Sequence, residues 1–118
     1  MAKSIINTAE VFKSLGDPSR LKILKLIAAK GNNMCVGKIA RTLKMTQPAV
    51  SQHLKVLKQA GLVDSDKRGF HVHYSIKLNA LDSYGIDTGN FLKSIGAEIN
   101  FDADCEEKGS PDECNKVN

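Results

Sequence analysis

Apolar residues in the first sixty positions recur at intervals of three and four, the spacing that lines one face of an α-helix. Ala9, Phe12 and Leu15 step by three and predict a first helix over residues 7–15. Gly16 and Asp17-Pro18 then interrupt the pattern. Glycine suits a helix end, proline suits the first turn of the next helix, and Asp17 is that helix's natural N-cap. A second helix is expected over residues 18–30, burying Leu21, Leu24 and Ala28, with Ile23, Leu26 and Ile27 widening the stripe. Gly31-Asn32-Asn33 closes it as a loop. Val36, Ile39, Ala40 and Leu43 fall at i, i+3, i+4 and i+7, so a short third helix covers residues 36–43. Lys44-Met45 forms a turn, and the Thr46 hydroxyl can accept an orphan backbone N–H of the next helix. Pro48 fits that helix's first turn, where a missing N–H costs nothing. This fourth helix follows Thr46 and runs to about Gln59, with Val50, Leu54 and Leu57 as its buried stripe, and Gly61 ends it.

The period then drops to two. Phe70, Val72, Tyr74 and Ile76 alternate with His71, His73, Ser75 and Lys77, as in a strand with one buried face. Leu62-Val63 supplies a short partner strand, and residues 64–69 supply a polar, basic turn between the two. Further on, Leu78, Leu81, Phe91, Leu92 and Ile95 allow one or two helices, interrupted near Gly85 and Gly89. From Asn100 the chain turns acidic and contains Gly, Ser and Pro, the composition of a mobile tail. The expected fold is mainly α with a small β-hairpin. Residues 1–99 form one domain and residues 100–118 an acidic, cysteine-containing tail. Two short helices joined by a tight turn and followed directly by a hairpin make a helix-turn-helix with a wing.

Charge sharpens this picture. The 118 residues carry a formal net charge of +4. Through residue 80 there are 14 Lys/Arg against 4 Asp/Glu, and beyond it 3 against 9. A basic body with an acidic tail suits a polyanionic partner, although charge alone serves solubility equally well. The fourth helix decides between them. Outside its buried stripe stand Gln47, Ser51, Gln52, Lys55 and Lys58, and no acidic residue occurs from Thr46 to Gly61. Glutamine can bond an adenine edge bidentately, serine can donate or accept at a base, and lysine reaches phosphates. The candidate DNA-binding residues are therefore Thr46, Gln47, Pro48, Ser51, Gln52 and Lys55, with Lys67 and Arg68 at the hairpin tip placed for a phosphate or a narrow minor groove. His53, one turn before Leu57, is expected to pack half-buried.

These residues bring a family into view. The runs Leu15-Gly16-Asp17-Pro18-Ser19-Arg20-Leu21, Thr46-Gln47-Pro48-Ala49-Val50-Ser51-Gln52-His53-Leu54 and Ala60-Gly61-Leu62-Val63 resemble the arsenic-repressor (ArsR) family of winged-helix regulators. The resemblance spans residues 11–76. It implies a homodimer built from the first and last helices, repression relieved by an effector, and a pseudo-palindromic operator in double-stranded DNA, matched to the dimer's two-fold axis. Ile5, Ile6, Phe12, Leu81, Phe91, Leu92 and Ile95 are the apolar residues expected to serve such a dimer. Many metal-responsive members open the third helix with Cys-x-Cys, whereas here the run is Cys35-Val36-Gly37. A zinc site across the last helices uses histidine, and none follows His73.

The effector question thus rests on Cys35, Cys105 and Cys114. Three thiolates suit arsenite or a soft metal ion. A reversible disulfide between Cys105 and Cys114 around Gly109-Ser110-Pro111, or a bond from the tail to Cys35, suits a redox signal instead. Inert cysteines are the third reading. A winged helix without an effector, used for DNA or protein contact only, is the rival function. No Ser/His/Asp set, phosphate loop or metal-finger spacing points to an enzyme. No apolar run reaches membrane-spanning length, and the first residues lack a signal peptide's core, so a cytoplasmic protein without a membrane partner is expected.

Overall fold

The computed structural model describes residues 5–30, 33–77 and 79–95. The elements run α1 (Ile5–Leu15), α2 (Pro18–Ala29), β1 (Met34–Cys35), α3 (Val36–Leu43), α4 (Gln47–Gln59), β2 (Val63–Arg68), β3 (His71–Ile76), a 3-10 turn (Asp82–Tyr84) and α5 (Thr88–Ser94). The strands form one antiparallel sheet in the order β1-β3-β2. The expected tail, residues 100–118, with Cys105 and Cys114, lies outside the described residues, as does Leu78. Among the described residues no helix is long and apolar enough to cross a membrane.

α2 is the central helix, packed against α1, α3, α4, α5 and β3. Being covered on several sides, it buries more than one stripe. Ile23, Leu26 and Ile27 are withdrawn completely from solvent, and Leu24 nearly so. Leu21 and Ala28, expected at the centre of the stripe, are only partly buried. α1 is likewise rotated from expectation. It buries Val11, Ser14 and Leu15, whereas Ala9 and Phe12 are exposed. Phe12 turns instead to Tyr84, edge to face with ring centroids 6.1 Å apart.

Both ends of the helix-turn-helix close in the same way. After α3, the Lys44 N–H donates to the Arg41 carbonyl (3.3 Å) and the Met45 N–H to that of Ala40 (2.9 Å). After α4, the Gly61 N–H donates to Lys58 and the Leu62 N–H to Leu57, each at 3.0 Å. These are paired Schellman bonds, which need one residue in the left-handed region. At α4 that residue is Gly61, with φ +82°. At α3 it is Lys44, with φ 58° and ψ 44°, a conformation that strains a side chain with a Cβ.

A polar hub locks the helices together. The Asp17 carboxylate caps α2, accepting from the Ser19 N–H (2.8 Å) and the Arg20 N–H (3.4 Å). The Arg20 Nε donates to the Ser14 carbonyl of α1 (2.6 Å), and its terminal nitrogen lies 3.4 Å from His53 Nδ1 on α4. Arg20 therefore links three helices. Partial desolvation raises the pKa of Asp17, but the two backbone N–H bonds outweigh it, helped by the charges of Arg20 and His53, and the carboxyl titrates below its ordinary value.

The C-terminal part follows the expected break at Gly85, while Gly89 lies within the first turn of α5. Asp87 caps this helix through the Asn90 N–H (3.1 Å). Lys25 of α2 donates to the carbonyls of Leu92 (2.8 Å) and Lys93 (3.2 Å), a cation at a helix C-terminus where the dipole favours it.

The sheet differs most from expectation. β2 runs on through Arg68, so most of the predicted turn is strand and the turn shrinks to Gly69-Phe70, with Arg68 paired to His71. Gly69 has φ +64° and Phe70 does not have positive φ, the pattern of a type II′ turn, whose twist lets pairing continue to the tip. Phe70 leaves the predicted buried face and stands 97% exposed. β1, two residues pairing Met34 with Tyr74 and Cys35 with His73, is too short to have shown any period.

Two stability measurements test these closures. Lys44→Gly should stabilise by about 0.5–1 kcal/mol and Gly61→Ala should destabilise by about 1 kcal/mol, read from urea midpoints, because only backbone conformation differs between the two sites. No atom lies within 4 Å of a Cβ added at Gly61, so a clash cannot account for the loss. Asp17→Ala should cost about 1 kcal/mol at neutral pH, the usual worth of an N-cap. Because the folded-state pKa is depressed, that stabilisation is complete above the ordinary value of 3.8 and is lost as pH falls through the lower folded value. The gap between wild type and variant should therefore narrow in urea titrations run progressively below pH 3.8.

Candidate nucleic-acid interface

α3, the Lys44-Met45-Thr46 turn and α4 build the expected helix-turn-helix, with α3 and α4 at the predicted bounds. The Thr46 hydroxyl accepts from the Ala49 N–H at 3.3 Å, and Pro48 sits in the first turn. Thr46 thus sets the start of α4, and its oxygen is already engaged.

Val50, Leu54 and Leu57 are fully buried and orient the helix. Pro48, Ser51, Gln52 and Lys55 stand exposed together on the opposite side. Gln47 does not join them cleanly. It is half-buried, and its side-chain Oε1 is shielded with no hydrogen-bond partner. In this conformation the exposed candidates for base contact are Ser51 and Gln52. His53 is half-buried against Arg20, as expected.

The register of the hairpin separates the two predicted wing cations. Val63, Ser65 and Lys67 share one face with Val72, Tyr74 and Ile76, while Asp64, Asp66 and Arg68 share the other with His71, His73 and Ser75. Lys58 of α4 donates to Ser65 Oγ at 2.6 Å, so Lys67 projects on the side of α4. Arg68 lies on the far side. Its Nε is paired with Asp66 at 2.9 Å, and its terminal nitrogen approaches Asn33 Oδ1 at 3.5 Å. The alternation that separates them was present in the sequence, but it could be read only once β2 was known to continue through Arg68. Asn33 was not anticipated. Its carbonyl lies 3.1 Å from His73 Nδ1 and its Oδ1 accepts from Ser75 Oγ at 3.2 Å, which ties the chain entering β1 to the outer face of the wing.

Cys35 is buried at the N-cap position of α3 and is disulfide-bonded, to a partner outside the described residues. Trivalent arsenic or a soft metal binds thiolates, so this sulfur would bind one only after the bridge is reduced. Among the described residues no group of three or more His, Cys, Asp or Glu is placed to hold a metal ion.

Residues 17–65 match the model of the bacterial regulatory protein, arsR family. An uncharacterized HTH-type transcriptional regulator of Methanocaldococcus jannaschii is 53% identical over 68 residues, covering 58% of this chain and 75% of that protein. The transcriptional repressor SdpR of Bacillus subtilis is 39% identical over 60% of this chain and 77% of its own length. Among solved structures, HlyU from Vibrio cholerae superposes with a TM-score of 0.61 at 26% identity, over 79% of this chain and 91% of that one. The homodimeric winged helix-turn-helix DNA-binding domain of Mb0332 from Mycobacterium bovis gives a TM-score of 0.61 at 29% identity, over 75% and 74%. With the motif residues folded as described, the chain belongs to the arsR family of bacterial regulatory proteins, winged helix-turn-helix transcription regulators that bind DNA.

Proposed function

We propose that this protein is a homodimeric repressor that binds a pseudo-palindromic operator, placing α4 of each subunit in the major groove and the wing beside it. The observation that carries the reading is the exposed, acid-free face of α4, Pro48, Ser51, Gln52 and Lys55, with Lys67 on the same side. Ser51 and Gln52 read base edges, Lys55 and Lys67 hold phosphates, and Thr46 and Pro48 fix the helix start against the backbone. Arg68 contributes to the field but shares its charge with Asp66. The dimer rests on α1, where Ile5 (87%), Ile6 (73%) and Phe12 (48%) are exposed, and on the homodimeric structural neighbour. Leu81 and Leu92, also expected to serve a dimer, are buried within this chain's own core, and Phe91 and Ile95 pack against it.

A second reading concerns what relieves repression. The disulfide at Cys35 favours a redox signal over arsenite or a soft metal. In this reading the partner is a tail thiol, Cys105 or Cys114. A dithiol reductant takes up the bridge, returning two protein thiols and leaving its own disulfide. Cys35 starts α3, and the end of α3 sets the start of α4, so a tether there biases the reading head. The two forms must differ in DNA affinity, since a change felt equally by bound and free protein shifts nothing.

Footprinting on a duplex selected from a random pool should show two half-sites about one helical turn apart, and Gln52→Ala should lose about 1–3 kcal/mol on that duplex while relaxing its sequence preference. A single half-site, or an unchanged affinity, counts against the reading. For the redox signal, wild-type protein titrated with and without dithiothreitol should differ several-fold in affinity, and Cys35→Ser should abolish the difference. Equal affinity of the two wild-type forms would remove this effector from consideration.

A further inference from the structure

Among the described residues Phe70 is the most exposed of the large apolar side chains, at 97%, and it occupies the second position of the Gly69-Phe70 turn. Two-residue hairpin turns are ordinarily filled by Gly, Asn, Asp or Ser, whose short side chains suit water. A phenylalanine there satisfies no requirement of the turn. It stands almost fully in water, although withdrawing such a ring from water is favourable.

Its surroundings identify what does cover it. Lys67 and Arg68 precede the turn and His71 follows it, so the ring projects from a collar of basic and imidazole side chains. Among the described residues the carboxylate nearest the tip along the hairpin, Asp66, is held by Arg68 at 2.9 Å. The hairpin is also fixed relative to α4. The Leu62 N–H donates to the Leu57 carbonyl at the helix end (3.0 Å), and Lys58 holds Ser65 at 2.6 Å. Six paired residues in each strand carry the tip roughly 20 Å from that anchor, at the rise of an extended chain. With α4 in the major groove, an arm of that reach crosses the phosphate backbone to the adjoining minor groove. One ring is far too small for a protein interface, which needs on the order of 1,000 Å². It does match the apolar wedges by which proteins pack against sugars and base steps in the minor groove.

We propose that Phe70 is an apolar wedge that the wing inserts into the minor groove of duplex DNA beside the site read by α4. This rests on the DNA-binding reading given above and adds to it a contact by an uncharged side chain, one that contributes through burial. Lys67 neutralises a neighbouring phosphate while the ring displaces water from the groove floor.

The chain contains no tryptophan, so Phe70→Trp introduces a single tryptophan per chain, excited apart from the two tyrosines, at the tip. Binding of the selected duplex is followed separately by the anisotropy of a label on the DNA. On saturation, acrylamide quenching of that tryptophan should fall several-fold relative to free protein. Phe70→Ser should weaken binding about tenfold, leave the thermal midpoint unchanged because no folded contact is lost, and leave the salt dependence unchanged because an uncharged side chain displaces no counterion from the DNA, whereas Lys67→Ala should lower the salt slope. If the DNA binds but the tryptophan stays as open to acrylamide as before, the wedge is refuted while the helix-turn-helix reading survives. Shielding by anionic phosphatidylglycerol vesicles and not by DNA also refutes it. If wild-type protein binds no duplex, both readings fall together.

Discussion

The way α4 is seated governs everything the molecule presents to a partner. Val50, Leu54 and Leu57 are completely withdrawn from water against the apolar side chains of α2 and α3. Each such burial contributes roughly 1.5–3 kcal/mol, so rotating the helix by even one position would expose apolar surface and drive a glutamine or lysine inward. One rotation is therefore strongly preferred, and with it one outward face. The polar residues on that face contribute little to folding and are free to be chosen for contact.

Around this seat the backbone is closed at both ends by the same device at unequal cost. Gly61 adopts the left-handed conformation freely, whereas Lys44 adopts it under strain. The strained residue lies in the turn between the two helices, next to the cap that starts α4. The Arg20 hub adds a second constraint, since one guanidinium touches the end of α1, the cap of α2 and the middle of α4. The Asp-Pro-Ser-Arg segment thus has a mechanical meaning. Its aspartate starts α2, and its arginine holds the neighbouring helices in place about it.

The wing obeys a different balance. Ile76 is buried, Tyr74 and Val72 are half-buried and the tip is exposed, so the base of the hairpin belongs to the core and its end is held by backbone pairing and exposed polar contacts. A strand that outruns its core can carry any side chain on its outer half. That freedom lets Lys67 and Phe70 stand where a packed strand would not allow them.

The helices, the tight turn, the capping by Asp17 and Thr46 and the change to a two-residue period were all legible in the residues, because each depends on neighbours within a turn or two along the chain. α3 and α4 could be bounded correctly for that reason. Which side of α1 and α2 meets the core was not legible, since a helix surrounded by several others buries residues that a single stripe would leave at its margin. The same limit hid β1, whose two residues are strand only because β3 lies beside them, and it hid the burial of Leu81 and Leu92 within the chain itself. On the exposed face of α4 and the wing, residue types and spacing marked out Ser51, Gln52, Lys55 and Lys67 as candidates. Only tertiary structure separated Lys67 from Arg68, turned the oxygen of Gln47 inward and left Phe70 uncovered, because those outcomes depend on register and packing between segments distant in the chain.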